Sequence, residues 1–431
     1  MTYKSIKNWQ NLRRFLVMTG ISLLVVLGIG GIFPATVPVA TLAQPAKADD
    51  VVISWNTTAV AVTQQDAPLQ ARALGIVHGA VFDAVNSIDR RYTPYLVDTN
   101  SPGASKEAAV SSAAHTVLLN LYPAQQARLD KALSDSLSKI EDGNAKTDGI
   151  NLGKEVAEKI LEIRSKDGWD AKGEYKAEKA AGIWEPTPPG YVPAVFTQWR
   201  NLKPFTFLSP NQFTTPAPLA WNSEAYAKEL NEVKNIGSKD SKTRTPDQTA
   251  TAIFWTVNTP VIWNAAARSA AIARRNSTID NARLFALVNF AISDAYVAGY
   301  SVKYKYNYWR PVTAIRNAEA AGIRGVITDA NWESLIITPA HPDYISGHSV
   351  TSGAAEKVLQ NFFSSDDLKF SFTYPAGGVT RSYSSFSQLS NENVDARVWG
   401  GVHTRNADVQ GTNLGYQVAD YAFRNYLKPI K

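Results

Sequence analysis

The chain has 431 residues, no cysteine and two methionines, Met1 and Met18. The lack of cysteine excludes disulfide scaffolds, thiolate metal sites, iron–sulfur ligation and cysteine nucleophiles, while 45% hydrophobic and 19% charged residues supply a sizeable core. Five of the 44 basic residues and no acid lie in the first 48, leaving 39 basic against 38 acidic residues, so the formal charge of +6 gives no general argument for nucleic acid.

Lys4, Lys7, Arg13 and Arg14 precede an apolar run from Phe15 to Phe33, which is followed by Ala46-Lys47-Ala48 and then Asp49-Asp50. This order of basic, apolar and A-x-A segments predicts a signal peptide over 1–48 and an exported protein of residues 49–431. The apolar run is long enough to reach across a bilayer, so a membrane contact is expected only where the segment stays uncleaved. An exported chain without cysteine must be held together by its core.

Helical spacing of apolar residues then predicts helices over Leu69–Ile88, Ser105–Leu121, Gln125–Ile140 and Gly153–Ile163. Asp142 to Lys146 departs from a calcium loop at its fifth and sixth positions and reads as a turn. From Gly168 to Pro218 the prolines prevent a continuous helix, and the Trp, Tyr, Phe and Val among them predict an ordered wrap over a core. Helices resume at Ser223–Val233, at Thr245-Pro246-Asp247-Gln248 with a capping-box pattern, and at Asn281–Tyr304, Ser346–Phe363 and Asp408–Tyr426. Alternating strand patterns are scarce. The predicted fold class is all-α, one large domain of packed helical bundles with a long Pro/Trp-rich wrapping loop.

Three segments in the last third carry residues suited to an oxyanion. In the first, Lys303 and Arg310 are seven apart and share a face if one helix contains both; Lys offers a point charge and Arg a planar fork. In the second, Ser346-Gly347-His348 opens an apolar helical run, where free amides and the dipole favour an anion. In the third, Arg397 and His403 flank Gly400-Gly401. The chain has five histidines: His78 and His115 lie on Ala-rich helical stretches and read as structural, whereas His341, His348 and His403 fall inside these segments.

Lys303…Arg310-Pro311, Ser346-Gly347-His348 and Arg397…His403 resemble, in order, spacing and type, the superfamily of vanadium-dependent haloperoxidases and type 2 phosphatidic-acid-phosphatase-like acid phosphatases. Arg72 to His78 with Asp83 to Asn86, Trp184 to Phe205 and Ala282 to Ile315 are similar to bacterial haloperoxidase-like proteins, so the likeness runs from about Gln70 to the end. It implies two packed four-helix bundles. It also implies that Lys303, Arg310 and Arg397, completed by Ser346 and the Gly347 amide, surround the oxygens of vanadate, with His403 as the vanadium ligand and His348 as the acid–base group. Three positions depart from the pattern: Ile345 stands for proline, Ala396 for serine, and Ala407 for the aspartate four residues after the last histidine, with Asp408 one step further round the helix.

The resemblance supports an enzyme that uses hydrogen peroxide to oxidise a halide to a hypohalous acid equivalent, vanadium acting as a Lewis acid, with a small organic acceptor and a possible homodimer. His341, seven residues before His348, matches a histidine often found in bromide-using relatives and points to bromide or iodide. The same residues would serve an exported phosphatase in which His403 attacks phosphorus and His348 protonates the leaving alcohol, or a non-catalytic binder of phosphate or vanadate. For a maker of hypohalite, a chain without sulfur beyond Met18 would resist self-inactivation in part, since methionine and cysteine are readily oxidised.

Overall fold

Side-chain caps set the starts of many helices. Asp50 accepts hydrogen bonds from the amides of Val52 (3.0 Å) and Ile53 (3.2 Å) and opens α1 (Val51–Val62). In this computed structural model, residues 50–176, 178–374 and 378–430 are described; the expected signal segment lies outside them. After α1 come α2 (Ala67–Asp89), α3 (Lys106–Leu121), α4 (Gln126–Leu137) and α5 (Asn144–Arg164), then, beyond the wrap, α6 (Glu224–Ile236), α7 (Pro246–Phe254), α8 (Thr259–Arg274), α9 (Thr278–Tyr306) and α10 (Pro311–Arg316). The chain closes with α11 (Gly347–Phe363), a hairpin of β1 (Asp367–Tyr374) and β2 (Val379–Ser385), α12 (Phe386–Trp399) and α13 (Arg405–Asn425). The capping box at α7 forms as the sequence predicts: Thr245 Oγ1 accepts from the Gln248 amide at 3.2 Å, and Gln248 Oε1 from the Thr245 amide at 2.9 Å.

The fold is all-α apart from that antiparallel hairpin, and α9 is its axis. Almost every residue of α9 from Ile279 to Tyr304 is buried. By length and apolarity α9 could cross a membrane, but 94% of its most apolar window is buried inside the protein. On one side α9 packs with α1 and α2, and α2 in turn with α3 and α5; on the other it packs with α8, α11 and α13, and α11 in turn with α12. The two bundles therefore share a helix. Glycines allow the closest approaches: a Cβ on Gly153 of α5 would lie 2.3 Å from the Ala109 carbonyl of α3, and one on Gly415 of α13 would lie 2.2 Å from the Val350 carbonyl of α11.

The wrap between α5 and α6 is ordered, as its aromatic content predicts. Trp184 and Trp199 are fully buried. The Trp184 amide donates to the Asn307 carbonyl (2.8 Å) and the Val195 amide to the Ala340 carbonyl (3.0 Å). Asp294, midway along α9, accepts from the amides of Phe205 (2.6 Å) and Thr206 (2.8 Å). Three sequence expectations need correction. α5 starts at Asn144 rather than Gly153, so the Asp142–Lys146 turn includes its first residues. Helices α1, α8, α10 and α12 are additional. The hairpin was not predicted; its first strand alternates exposed and buried residues, with Leu368, Phe370 and Phe372 inward.

His78 has a structural role. Its Nε2 faces Asn56 Nδ2 at 2.8 Å, and the orientation of that amide is set by Arg268 Nη1 donating to Asn56 Oδ1 at 2.5 Å. An amide nitrogen only donates, so Nε2 accepts and the ring is neutral. Burial, then the charge of Arg268, push its pKa down to about 3. The folded state thus binds fewer protons than the unfolded one between pH 6.5 and 3, and stability falls as pH drops through this window, by about 1.4 kcal/mol per pH unit. Urea midpoints of wild type and His78→Gln between pH 7 and 4 are expected to show the steeper acid loss in wild type; parallel curves would refute this. His115 lies near the surface with Nε2 2.8 Å from Asp130.

Candidate functional site

The three predicted segments converge where α9 ends and α11 begins. α9 stops because Asn307 takes a left-handed conformation (φ 50°), and Arg310 is the extended residue that precedes α10. Lys303 and Arg310 therefore do not share a helical face, as a continuous helix would require; they approach from a helix end and from the link after it. Lys303 Nζ donates to the carbonyls of Pro342 (2.7 Å) and Asp343 (3.2 Å). Arg310 joins the second and third segments: Nε donates to the His341 carbonyl (2.8 Å), Nη2 to His341 Nδ1 (3.0 Å) and Nη1 to the Val402 carbonyl (2.7 Å). Arg397, near the end of α12, places Nη1 3.1 Å from the Trp255 carbonyl and leaves Nε without a partner.

Ser346 caps α11, its Oγ accepting from the Ser349 amide at 3.4 Å. Its hydroxyl also faces the Asp408 carboxyl, to which it donates. The Gly347 amide lies in the first turn, where no helical acceptor exists. A Cβ on Gly347 would meet nothing nearer than a Tyr296 ring carbon at 3.9 Å, so the space before this helix start is open.

His403 is pinned by an acid that the sequence did not assign. Its Nδ1 makes a short contact with Asp343 Oδ1, and Thr404 Oγ1 donates to the other carboxylate oxygen at 3.3 Å. With Nδ1–H given to Asp343, the Nε2 lone pair points into the cradle, where it accepts from Arg310 Nη1 at 3.2 Å. Asp408, left open as a support for His403, instead accepts from Ser349 Oγ at 2.7 Å. His348 Nε2 is buried and unpartnered. His341 sits in the wall, with Nδ1 on Arg310 and its ring edge-on to Tyr300 at 5.5 Å. The Asp343 signal was present in His341-Pro342-Asp343, but 60 residues separate the partners and no local pattern joins them.

Gly400 and Gly401 do not face a ligand. A Cβ on Gly401 would lie 2.3 Å from the Gly237 carbonyl, and one on Gly400 would lie 2.8 Å from Ile336, so these glycines let the loop pack closely. Trp309 is buried in the core, whereas Trp399 is partly exposed.

The electrostatics select an anion. Lys303, Arg310 and Arg397 are at most 2% exposed. Burial lowers all three pKa values, those of the arginines to about 10, so both guanidiniums stay charged at neutral pH. Asp343 and Asp408 face them, and burial raises both carboxyls to about 7. Two charged guanidiniums and the Lys303 amine against two partly neutralised acids leave positive charge uncompensated, which is costly in the interior. Burial first, then the neighbouring cations, hold His341, His348 and His403 well below the usual histidine range, hence neutral. Among the described residues no group of three or more His, Cys, Asp or Glu side chains forms a metal cage. An imidazole nitrogen aimed into the cradle, two guanidiniums and an amine, a hydroxyl and a helix-start amide fit an oxyanion of a metal rather than a bare metal ion.

The family models agree with this arrangement. The vanadium chloroperoxidase N-terminal domain matches residues 50–198 and the VCPO second helical-bundle domain residues 283–431. Vanadium chloroperoxidase from Curvularia inaequalis is 25% identical over a 377-residue alignment that covers 69% of this chain and 61% of that relative's length. A solved structure described as the first bacterial vanadium-dependent iodoperoxidase is similar with a TM-score of 0.76 at 25% identity, covering 89% of this chain and 97% of its own. A holo-type bacterial vanadium-dependent chloroperoxidase shares the fold with a TM-score of 0.71 at 18% identity, covering 89% of this chain and 98% of its own. Two family models covering both bundles, on a chain whose motif residues converge in one cationic cradle, identify it as a member of the vanadium-dependent haloperoxidase family.

Proposed function

We propose that this chain is a vanadate-dependent haloperoxidase that oxidises bromide or iodide with hydrogen peroxide to a hypohalous acid equivalent. The observation that carries the reading is His403: its Nδ1 is held by Asp343 and its Nε2 faces three buried cations. Vanadate, when bound, supplies a Lewis acid that activates peroxide. Lys303, Arg310 and Arg397 offset the charge on its oxygens. Ser346 and the Gly347 amide add neutral donors, and His403 Nε2 is the metal ligand. His348 Nε2, neutral and unpartnered, takes a proton from the incoming peroxide and returns it to the leaving oxygen.

The test is to add orthovanadate to metal-free protein and follow peroxide-dependent halogenation of a phenolic dye, with phosphate-ester hydrolysis measured in parallel without vanadate. Halogenation that saturates with vanadate is the expected result. No halogenation with any halide would overturn it, and ester hydrolysis instead would favour the phosphatase.

The bromide and iodide preference rests on His341, which contacts Arg310 in the cradle wall, and on the likeness to a structure described as an iodoperoxidase. His341→Ala is expected to lose bromination and retain iodination. Equal loss of both would refute the assignment. We further propose that the protein is exported and cleaved after Ala48; intact mass of the protein recovered outside the cytoplasm is expected to place its first residue at Asp49, and a mass that retains the leader would overturn this.

A further inference from the structure

A second positively charged cavity lies in the first bundle, where α2, α3 and α5 meet the start of the wrap. Its volume is ≈ 330 Å³, and Arg72, Arg164, Leu69, Leu121, Leu161 and Trp169 contribute to its walls. It shares no lining residue with the cradle. Asp167 serves both guanidiniums: its Oδ2 accepts from Arg72 Nε at 2.7 Å and lies 2.8 Å from Arg164 Nη2. Its Oδ1 accepts from the Trp169 amide at 3.1 Å. Among the described residues no other carboxylate forms an ion pair with either arginine.

Two nearly fully buried arginines thus share one acid. Arg72 is 6% and Arg164 1% exposed. Arg164 spends Nη1 and Nη2 on the carbonyls of Pro204 (3.1 Å) and Lys203 (2.9 Å), while its Nε is buried without a partner. Carbonyls satisfy hydrogen bonds but do not cancel the second charge, which beyond Asp167 is offset only at longer range by the Asp294 carboxylate acting on Arg164. The remaining walls are mainly apolar and aromatic, with Gln65, Asn120 and Ser165 among them. Trp169 covers Arg72 with its ring centroid 5.2 Å away and is itself 39% exposed, so the indole stands at the edge of the cavity.

We propose that this cavity binds a small organic acid, its carboxylate paired with the Arg72–Arg164 cluster and its apolar body lying between the leucines and Trp169. The volume falls at the lower end of ordinary small-molecule sites, of about 300–1,000 Å³. Guanidinium–carboxylate pairing supplies the specificity. The inference does not depend on the chemistry at the cradle.

Benzoate is the probe, titrated into the purified full chain by calorimetry with and without saturating orthovanadate, beside acetate (charge without body) and benzyl alcohol (body without charge). Benzoate is expected to bind at one site, unaffected by vanadate, with acetate and benzyl alcohol at least about 10-fold weaker, or 1.4 kcal/mol each. Leu69→Glu places a competing carboxylate at the partly exposed edge of the cavity, and Trp169→Ala removes a largely exposed wall. Each is expected to weaken benzoate by about 10-fold or more, with the unfolding midpoint and vanadate affinity unchanged. No saturable benzoate binding would overturn the proposal. So would benzoate binding that vanadate displaces, or binding that both variants leave intact.

Discussion

A His348→Ala chain is expected to bind vanadate nearly as tightly as wild type and to lose halide oxidation by about 10²–10⁴-fold. The split follows from the geometry. His348 Nε2 is buried beside the charge of Arg397 without a hydrogen bond to a cradle residue, the ring's contact being with the Val257 backbone, so it is placed to handle a substrate proton rather than to hold the anion. Burial keeps it neutral, hence able to accept. Vanadate affinity measured by calorimetry, beside kcat for bromination and iodination, separates the two effects. An unchanged kcat would remove His348 from the chemistry. Intact affinity with no wild-type turnover to lose would make the protein a binder only.

Asp343→Ala is expected to weaken vanadate binding by about 10–100-fold and to lower stability by about 3–5 kcal/mol. Two effects oppose each other here. Removing an acid from a cationic cradle favours an anion, whereas freeing Nδ1 lets the His403 ring turn and misdirects Nε2. Burial raises the Asp343 carboxyl to about 7 against the pull of Arg310 and Lys303, so near neutral pH it carries only part of a charge and positioning wins. The stability loss arises because Arg310 Nη1, 3.9 Å from Asp343 Oδ1, loses its counter-ion where both side chains are fully buried. Asp408→Ala is the contrast: Asp408 bonds Ser349 rather than His403, so its effect on vanadate affinity is expected to be the smaller. Tighter vanadate binding by Asp343→Ala, or a larger effect from Asp408→Ala, would refute the assignment. Vanadate titration and urea unfolding provide the two measurements.

The all-α class and most helix positions were legible because caps and apolar periodicity are local. Thr245 and Gln248 form their predicted capping box, and Ser346 is the predicted start of α11. What escaped had weak local contrast. On α12 the buried face includes Ser390, Asn393 and Arg397; α8 buries Asn264 and Arg268 among alanines. The second strand of the hairpin is largely polar, with Tyr383 its one buried residue.

The cradle divides along the same line. Its chemical types could be read along the chain: Lys303, Arg310, Ser346-Gly347-His348, Arg397 and His403 were identifiable because their spacings lie within short segments. Which carboxylate serves which group emerged only in three dimensions. Asp343 reaches His403 because Arg310 and Lys303 bond the carbonyls around it and draw its loop against the start of α13. Asp408 turns to Ser349 because it enters the helix one residue past the position usual in relatives, about 100° round the axis. Side-chain pairing across long sequence separations depends on how the backbone closes, and spacing along the chain carries no record of that.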